Sequence, residues 1–153
     1  MSEQFATEVF FPYLFLPLFV GMWLAITTFL AAMSGWFKLQ DEYPDRHDTV
    51  LGTMRFQSGQ MGRLGLGGVS YGNCLRFDVC QTGLRIRVWK PLGPFCRPFF
   101  IPWRDVVVER KKLLFLCPWY QMRFGRAGNL SVSARTFSKL ARLSRGSLFT
   151  PAP

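Results

Sequence analysis

The first 37 residues of the chain contain one long apolar run. Residues 9–37 carry no charged side chain, and residues 14–32 are rich in Leu, Phe, Val, Ile and Ala. Because a helix needs roughly 20 apolar residues to cross the hydrocarbon core of a bilayer, the run predicts a transmembrane helix over residues 9–37, after a short extracytoplasmic segment, residues 1–8. A cleaved signal peptide is the disfavoured alternative, because the first eight residues hold two glutamates and no basic residue.

The ends of this run carry further signals. Pro12 and Pro17 lie in its first half, where each removes a helix hydrogen bond, so we expect a kink or a late helix start. Trp36 and Phe37 lie at its other end, where aromatic rings favour the membrane interface. Residues 38–52 mix acidic and basic side chains and predict a juxtamembrane linker, whose start extends the helix by a turn or two before Pro44 ends it.

After residue 53 the apolar pattern changes to a period of two, which is typical of strands. Residues 74–80 and 84–89 both alternate, and the intervening Gln-Thr-Gly predicts a hairpin with Gly83 in the left-handed conformation. If Gly83 supplies a bulge, the parity of the pairing puts six apolar side chains on one face. The predicted pairs are Val79 with Leu84, Phe77 with Ile86 and Leu75 with Val88.

Further short elements follow the hairpin. Strands are predicted over residues 99–103, 105–110, 113–124 (broken by Pro118) and 130–133. Residues 134–144 then change to a helical period, with Ser133 as the N-cap. The tail, residues 146–153, is expected to fray.

Seven strands and one amphipathic helix thus occupy residues 53–145, and a helix after a small bent sheet buries its apolar side by closing the open end. This order resembles the pleckstrin-homology (PH) superfold, including bacterial PH-like and GRAM-like domains. The run Gly83-Leu84, Ile101-Pro102-Trp103 and Asp105-Val106 is similar to one in small uncharacterised bacterial single-pass membrane proteins with a cytoplasmic PH-like domain.

The resemblance implies a membrane-anchored α+β protein. It would have one N-terminal transmembrane helix, then a small antiparallel PH-like β-barrel or sandwich with a C-terminal amphipathic helix. Such families supply no catalytic residues to carry over. An all-β barrel of another type remains the alternative.

The charge distribution predicts the orientation. All 19 Lys and Arg, but only seven of the nine Asp and Glu, lie at or after Lys38, which gives that part a net charge of +12. Because basic residues stay on the cytoplasmic side, we expect a bacterial inner-membrane protein with its N-terminus outside and its C-terminal domain in the cytoplasm. Tethering at a bilayer disfavours nucleic acid as the partner of this basic domain.

Residues that could carry chemistry are few. The glycine-rich residues 59–72 lack the Gly-Lys-Ser or Gly-Lys-Thr of a phosphate loop and predict a flexible loop instead. The four cysteines form no Cys-x-x-Cys pair and His47 stands alone, so we expect no metal and no cofactor. Cys74 and Cys80 share a strand face but are too far apart to form a disulfide. We therefore expect no enzyme activity.

Two sets of residues are candidates for binding. Small residues recur along one face of the predicted helix, where another helix could approach closely. That helix-packing set is Gly21, Ala25, Thr28 and Ala32, with Phe15 and Phe19 from the Phe-rich end. Basic residues form the second set, for contact with anionic lipid headgroups or a partner. That set is Arg85, Arg87, Lys90, Arg97, Arg104 and, at an expected strand turn, Arg110, Lys111 and Lys112.

The functional prediction rests on these sets together with exposed-looking aromatic residues. These aromatic residues are Trp89, Phe95, Phe99, Phe100, Trp119 and Tyr120. The alternative interpretation is that they form the barrel core. The first hypothesis is a non-catalytic accessory subunit of a larger inner-membrane complex, of respiratory or photosynthetic type, whose domain braces the cytoplasmic face. The alternative is a membrane-tethered PH-like module that binds anionic lipid headgroups.

Overall fold

The computed structural model describes residues 2–62, 68–113 and 117–145. Three helices and seven strands make up this part. In chain order they are α1 (Ser2–Ser34), α2 (Trp36–Glu42), β1 (Val50–Met61), β2 (Val69–Cys80), β3 (Gly83–Val88), β4 (Phe99–Pro102), β5 (Val106–Leu113), β6 (Cys117–Phe124), β7 (Gly128–Ser133) and α3 (Ala134–Leu143). Short 3-10 turns lie at Lys90–Leu92 and Trp103–Asp105.

Helix α1 is the one helix in the described part of the chain that is long and apolar enough to cross a membrane, over Phe11–Ser34. Length and composition alone support this property. The helix runs through both Pro12 and Pro17, so the expected late start is wrong. Gly35, with φ of +81°, ends α1, and α2 follows at once.

The strands form one antiparallel sheet in the order β4-β3-β2-β1-β7-β6-β5, which curls into a half-barrel. The hairpin register predicted from parity is confirmed at all three pairs: Leu75–Val88, Phe77–Ile86 and Val79–Leu84. Their apolar side chains lie in the core. Burial of this one face fixes the register, because a slip by one residue would turn the same side chains to the other face. Helix α3 is confirmed as well, with the hydroxyl of Ser133 accepting a hydrogen bond from the N–H of Thr136.

Three local predictions are wrong. Gly83 has no positive φ, so it is not in the expected left-handed conformation. Glycine is required there by the close approach of β4, because a Cβ at this position would lie 2.4 Å from the carbonyl oxygen of Ile101. The long run at 113–124 comprises the end of β5 and all of β6, and residues 114–116 lie outside the described residues. The glycine-rich loop is much shorter than expected, because β1 reaches Met61 and β2 begins at Val69; residues 63–67 also lie outside the described residues.

The segment after α1 is part of the domain, which corrects its interpretation as a linker. Trp36 and Leu39 are fully buried in the core, so Trp36 does not lie at a membrane interface. Pro44 forms a bridge to Phe99 of β4. Beyond it, the carboxylate of Asp48 accepts hydrogen bonds from the N–H and the hydroxyl of Thr82 in the hairpin turn, at 2.8 and 2.6 Å.

Candidate functional site

A basic pocket of about 490 Å³ lies at the open end of the β2–β3 hairpin. Its lining contains four cationic side chains and no acidic one among the described residues. The cations are Arg55, Arg76, Arg87 and Lys90. Two exposed aromatic residues flank them: Phe56 is 74% exposed and Trp89 is 61% exposed. A pocket of one sign of charge concentrates ions of the opposite sign, so its chemistry suits an anionic ligand.

One carboxylate behind the pocket positions two of these arginines. Asp78 is 2% exposed and accepts a hydrogen bond from the hydroxyl of Thr53 at 2.9 Å. Its oxygens lie 3.0 Å from Nε of Arg76 and 3.5 Å from Nε of Arg87. The Nε of Arg87 is buried and makes no hydrogen bond within the described structure. A single negative charge thus orients two guanidinium groups without neutralising both.

Two cysteine thiols, those of Cys74 and Cys96, line the pocket and have little nucleophilic character. Burial raises the pKa of the Cys96 thiol to about 11 and also raises the pKa of Cys74. Thiols with raised pKa values stay protonated at neutral pH and react slowly. Cys74, Cys80 and Cys96 are all free. In the described part of the chain, no three His, Cys, Asp or Glu side chains gather as a metal site. The pocket is therefore equipped to bind an anion.

The C-terminal third of α1 packs on the domain. Thr27, Ala31 and Ser34 of the helix are nearly fully buried. The indole N–H of Trp23 donates to the carbonyl of Pro91 at 2.8 Å, next to the pocket residue Lys90.

Two further hydrogen bonds hold the C-terminal end of α1 and the first residue of α2 to the rest of the domain. The hydroxyls of Ser34 and Tyr71 lie 3.0 Å apart. Burial raises the pKa of the Tyr71 phenol to about 12. Below it, the indole N–H of Trp36 donates to the carbonyl of Arg97 at 2.9 Å.

The helix residues selected from the sequence lie away from this contact. Gly21, Ala25 and Ala32 are exposed and Thr28 is half-buried, so most of the small-residue face has no partner in the described structure. Phe15 and Phe19 are exposed and belong to a stacked ladder on another face of α1. The ladder comprises Phe11, Phe15, Phe19 and Trp23, with successive ring centroids 6.0, 5.9 and 6.5 Å apart.

The basic residues selected from the sequence do not form one surface. Arg87 and Lys90 line the pocket. Arg85 is 7% exposed and lies 2.5 Å from the carboxylate of Asp45, so an intramolecular ion pair holds it. Arg97 is exposed between the pocket residues Cys96 and Pro98, and Arg104 is exposed outside the pocket lining.

The Arg110, Lys111 and Lys112 cluster lies within β5, paired with β6, and not at a strand turn as expected. Among the aromatic candidates, Trp89 and Phe95 are exposed, whereas Phe99 and Phe100 are buried. Both buried residues belong to β4, next to β3.

Two of the four pocket cations, Arg55 and Arg76, do not belong to the basic set predicted from the sequence. A signal for Arg76 was present in the predicted register, because pairing Leu75 with Val88 and Phe77 with Ile86 places Arg76 directly opposite Arg87. Like charges directly opposite each other are destabilising. Two facing arginines therefore indicate a shared acid, here Asp78, or an anionic ligand.

Comparison with protein-family models, with curated proteins and with solved structures returned no match for the chain.

Proposed function

We propose that the chain is a non-catalytic accessory subunit of a larger inner-membrane protein complex, of respiratory or photosynthetic type. Helix α1 would anchor it and pack on an integral membrane partner, and the β domain would brace the cytoplasmic face of that partner. The observation that carries this proposal is the direct fixation of the domain to its anchor. The short interval from Ser34 to the fully buried Trp36 contains only Gly35.

Such fixation suits a bracing role, because a helix and domain joined without a linker present their surfaces in one arrangement. The buried face of α1 is centred on Thr27 and Ala31. The small-residue face lies about 100° away around the helix at 3.6 residues per turn. A Cβ added at Gly21 would meet no atom within 4 Å. A partner helix can therefore approach the small-residue face while the domain stays docked.

The proposal includes the cellular location and the fold family. The chain would lie in a bacterial inner membrane with its N-terminus outside and its domain in the cytoplasm, where basic residues are retained. The domain would be PH-like, since seven antiparallel strands followed by one amphipathic helix have the order expected for that superfold. The apolar length of α1 supports the anchor.

The test is gentle detergent extraction of native membranes, followed by native-gel separation and mass spectrometry of comigrating proteins. We expect the wild-type chain to comigrate with a large complex. The double substitution Gly21→Leu with Ala25→Leu should abolish comigration, because large side chains on this face block the close approach of another helix. Ile26→Phe is the matched control: it adds bulk on a different exposed face and should leave comigration intact. Migration of the wild-type chain as a small free species would overturn the proposal.

The basic pocket favours a second function, binding of anionic lipid headgroups by a membrane-tethered PH-like module. Basic side chains near a bilayer contribute about 1 kcal/mol each to binding of anionic lipid. Neutralising two exposed pocket cations, Arg55→Gln with Lys90→Gln, should therefore weaken binding about 30-fold.

The assay measures phosphatidylglycerol binding to the full chain in nanodiscs of increasing phosphatidylglycerol content. The control, Arg104→Gln with Arg110→Gln, changes the net charge equally on residues outside the pocket lining. Equal losses in both variants would show a non-specific charge effect and would reject the pocket as the lipid site.

A further inference from the structure

The docked position of the domain limits how much of α1 is free to lie in a bilayer. Glu8 is the last charged residue before the apolar run, and contact with the domain begins at Trp23. Residues 9–22 span about 21 Å at 1.5 Å per residue. A hydrocarbon core is about 30 Å thick. A helix that enters the core after Glu8 therefore leaves it about 9 Å beyond the first contact with the domain, near residue 28.

The domain first meets α1 at the loop formed by residues 89–97, called here the proline loop. Its Pro91 carbonyl accepts the Trp23 hydrogen bond. Trp89 and Phe95 of the loop are 61% and 57% exposed. Lys90 and Arg97 are exposed as well. Aromatic rings beside cations that reach outward are the composition that membrane interfaces favour.

Most backbone N–H groups of the proline loop have acceptors within the protein. Two of its residues are prolines and carry no N–H. Five of its other seven backbone N–H groups have acceptors. Those of Trp89, Leu92, Gly93 and Cys96 donate to backbone carbonyls, and that of Arg97 donates to the Gln40 side chain at 2.9 Å. Irregular backbone next to lipid must satisfy its polar groups within the protein, because hydrocarbon offers no hydrogen bonds.

We propose that the proline loop enters the bilayer beside α1, with Trp89 and Phe95 at the boundary between headgroups and acyl chains. Lys90 and Arg97 then extend toward anionic headgroups. The occupant of this surface is bilayer phospholipid. The inference depends on α1 crossing a bilayer but not on a protein partner, so loss of the accessory-subunit function would leave it standing.

Photocrosslinking of the full chain in liposomes of phosphatidylethanolamine and phosphatidylglycerol tests the proposal. Phe95 is replaced by p-benzoylphenylalanine in one variant, and Gln81 is replaced in the control. Gln81 is exposed in the turn at the opposite end of the β2–β3 hairpin. After illumination, mass spectrometry should detect a phospholipid adduct at position 95 and none above background at position 81. Absence of lipid adduct at position 95, or equal adduct at both positions, overturns the proposal.

Tryptophan quenching by phospholipids brominated on the acyl chain gives an independent measurement. The wild-type chain and the Trp89→Phe variant are compared in the same liposomes. Removing Trp89 should remove part of the quenchable emission, whereas an unchanged quenchable fraction would refute insertion of the loop. Repeating the crosslinking in native membranes adds a further outcome: attachment of position 95 to another protein in place of lipid also overturns the proposal.

Discussion

Replacing Gly83 by alanine tests the close packing of β3 on β4. The added Cβ would lie 2.4 Å from the backbone oxygen of Ile101 and 2.6 Å from the Phe100 ring. Ordinary contacts begin near 3.4 Å, so β4 must move by about 1 Å, and backbone in a paired strand does not yield easily. Overpacking of this kind costs about 1–3 kcal/mol. Loss of backbone freedom in the unfolded chain offsets at most about 1 kcal/mol of this.

We therefore expect Gly83→Ala to lower the free energy of unfolding by about 2 kcal/mol. Gly72→Ala is the matched control, because a Cβ at that position in β2 would meet no atom within 4 Å. The control should be neutral or stabilise the protein by up to about 1 kcal/mol. Urea unfolding in detergent, followed by tryptophan emission, should separate the two midpoints by roughly 1 M or more. Coincident midpoints would refute the argument from close packing.

Three further predictions concern single side chains. Hydrogen bonds from Thr82 are the largest cause that lowers the pKa of Asp48. The stabilisation by the Asp48 carboxylate is therefore fully present above the pKa of the unfolded chain, near 4, and is lost as the pH falls through the lower pKa of the folded chain. The stability difference between wild type and Asp48→Asn should hence shrink below about pH 4 in acid titrations, and a constant difference would contradict this. With its pKa raised to about 11, Cys96 should react with iodoacetamide about 100-fold more slowly in the folded chain than in urea; equal rates by peptide mass spectrometry would count against burial. Ser133→Ala should destabilise the protein by about 1 kcal/mol in the same urea assay through loss of the α3 N-cap, and no change would show that the cap is dispensable.

Features fixed by local periodicity were predictable from the sequence. The alternation over β2 and β3 determined both the register and the buried face, and the helical period with its capping serine located α3. Features that depend on tertiary contact were not predictable. Because glycine has no side chain, Gly83 suits both a turn and a close approach of two strands. Only the position of β4 shows that the close approach is the reason for glycine here.

The candidate site shows the same division. Composition and sequence spacing indicated a basic domain, but Arg85 and Arg87, two residues apart on β3, have different roles. Arg85 meets Asp45 from the segment that crosses the sheet, whereas Arg87 lines the pocket. The position of Trp36 at the end of an apolar run predicts a membrane interface, but Gly35 redirects the chain and Trp36 lies in the domain core. These outcomes depend on the path of a segment that has no periodic signal.

The burial of Trp36 and Leu39 means that the β domain cannot be separated from α1 by cutting the chain at residue 49. A fragment beginning there would lose two of the largest fully buried side chains of its core. Loss of one large buried aromatic side chain alone costs about 3–5 kcal/mol. This is a large share of the free energy of unfolding of an ordinary domain, which is about 5–15 kcal/mol. Grafting these strands onto another protein's helix would therefore require Trp36 and Leu39 to be transferred with them, so α2 and the sheet form one structural unit.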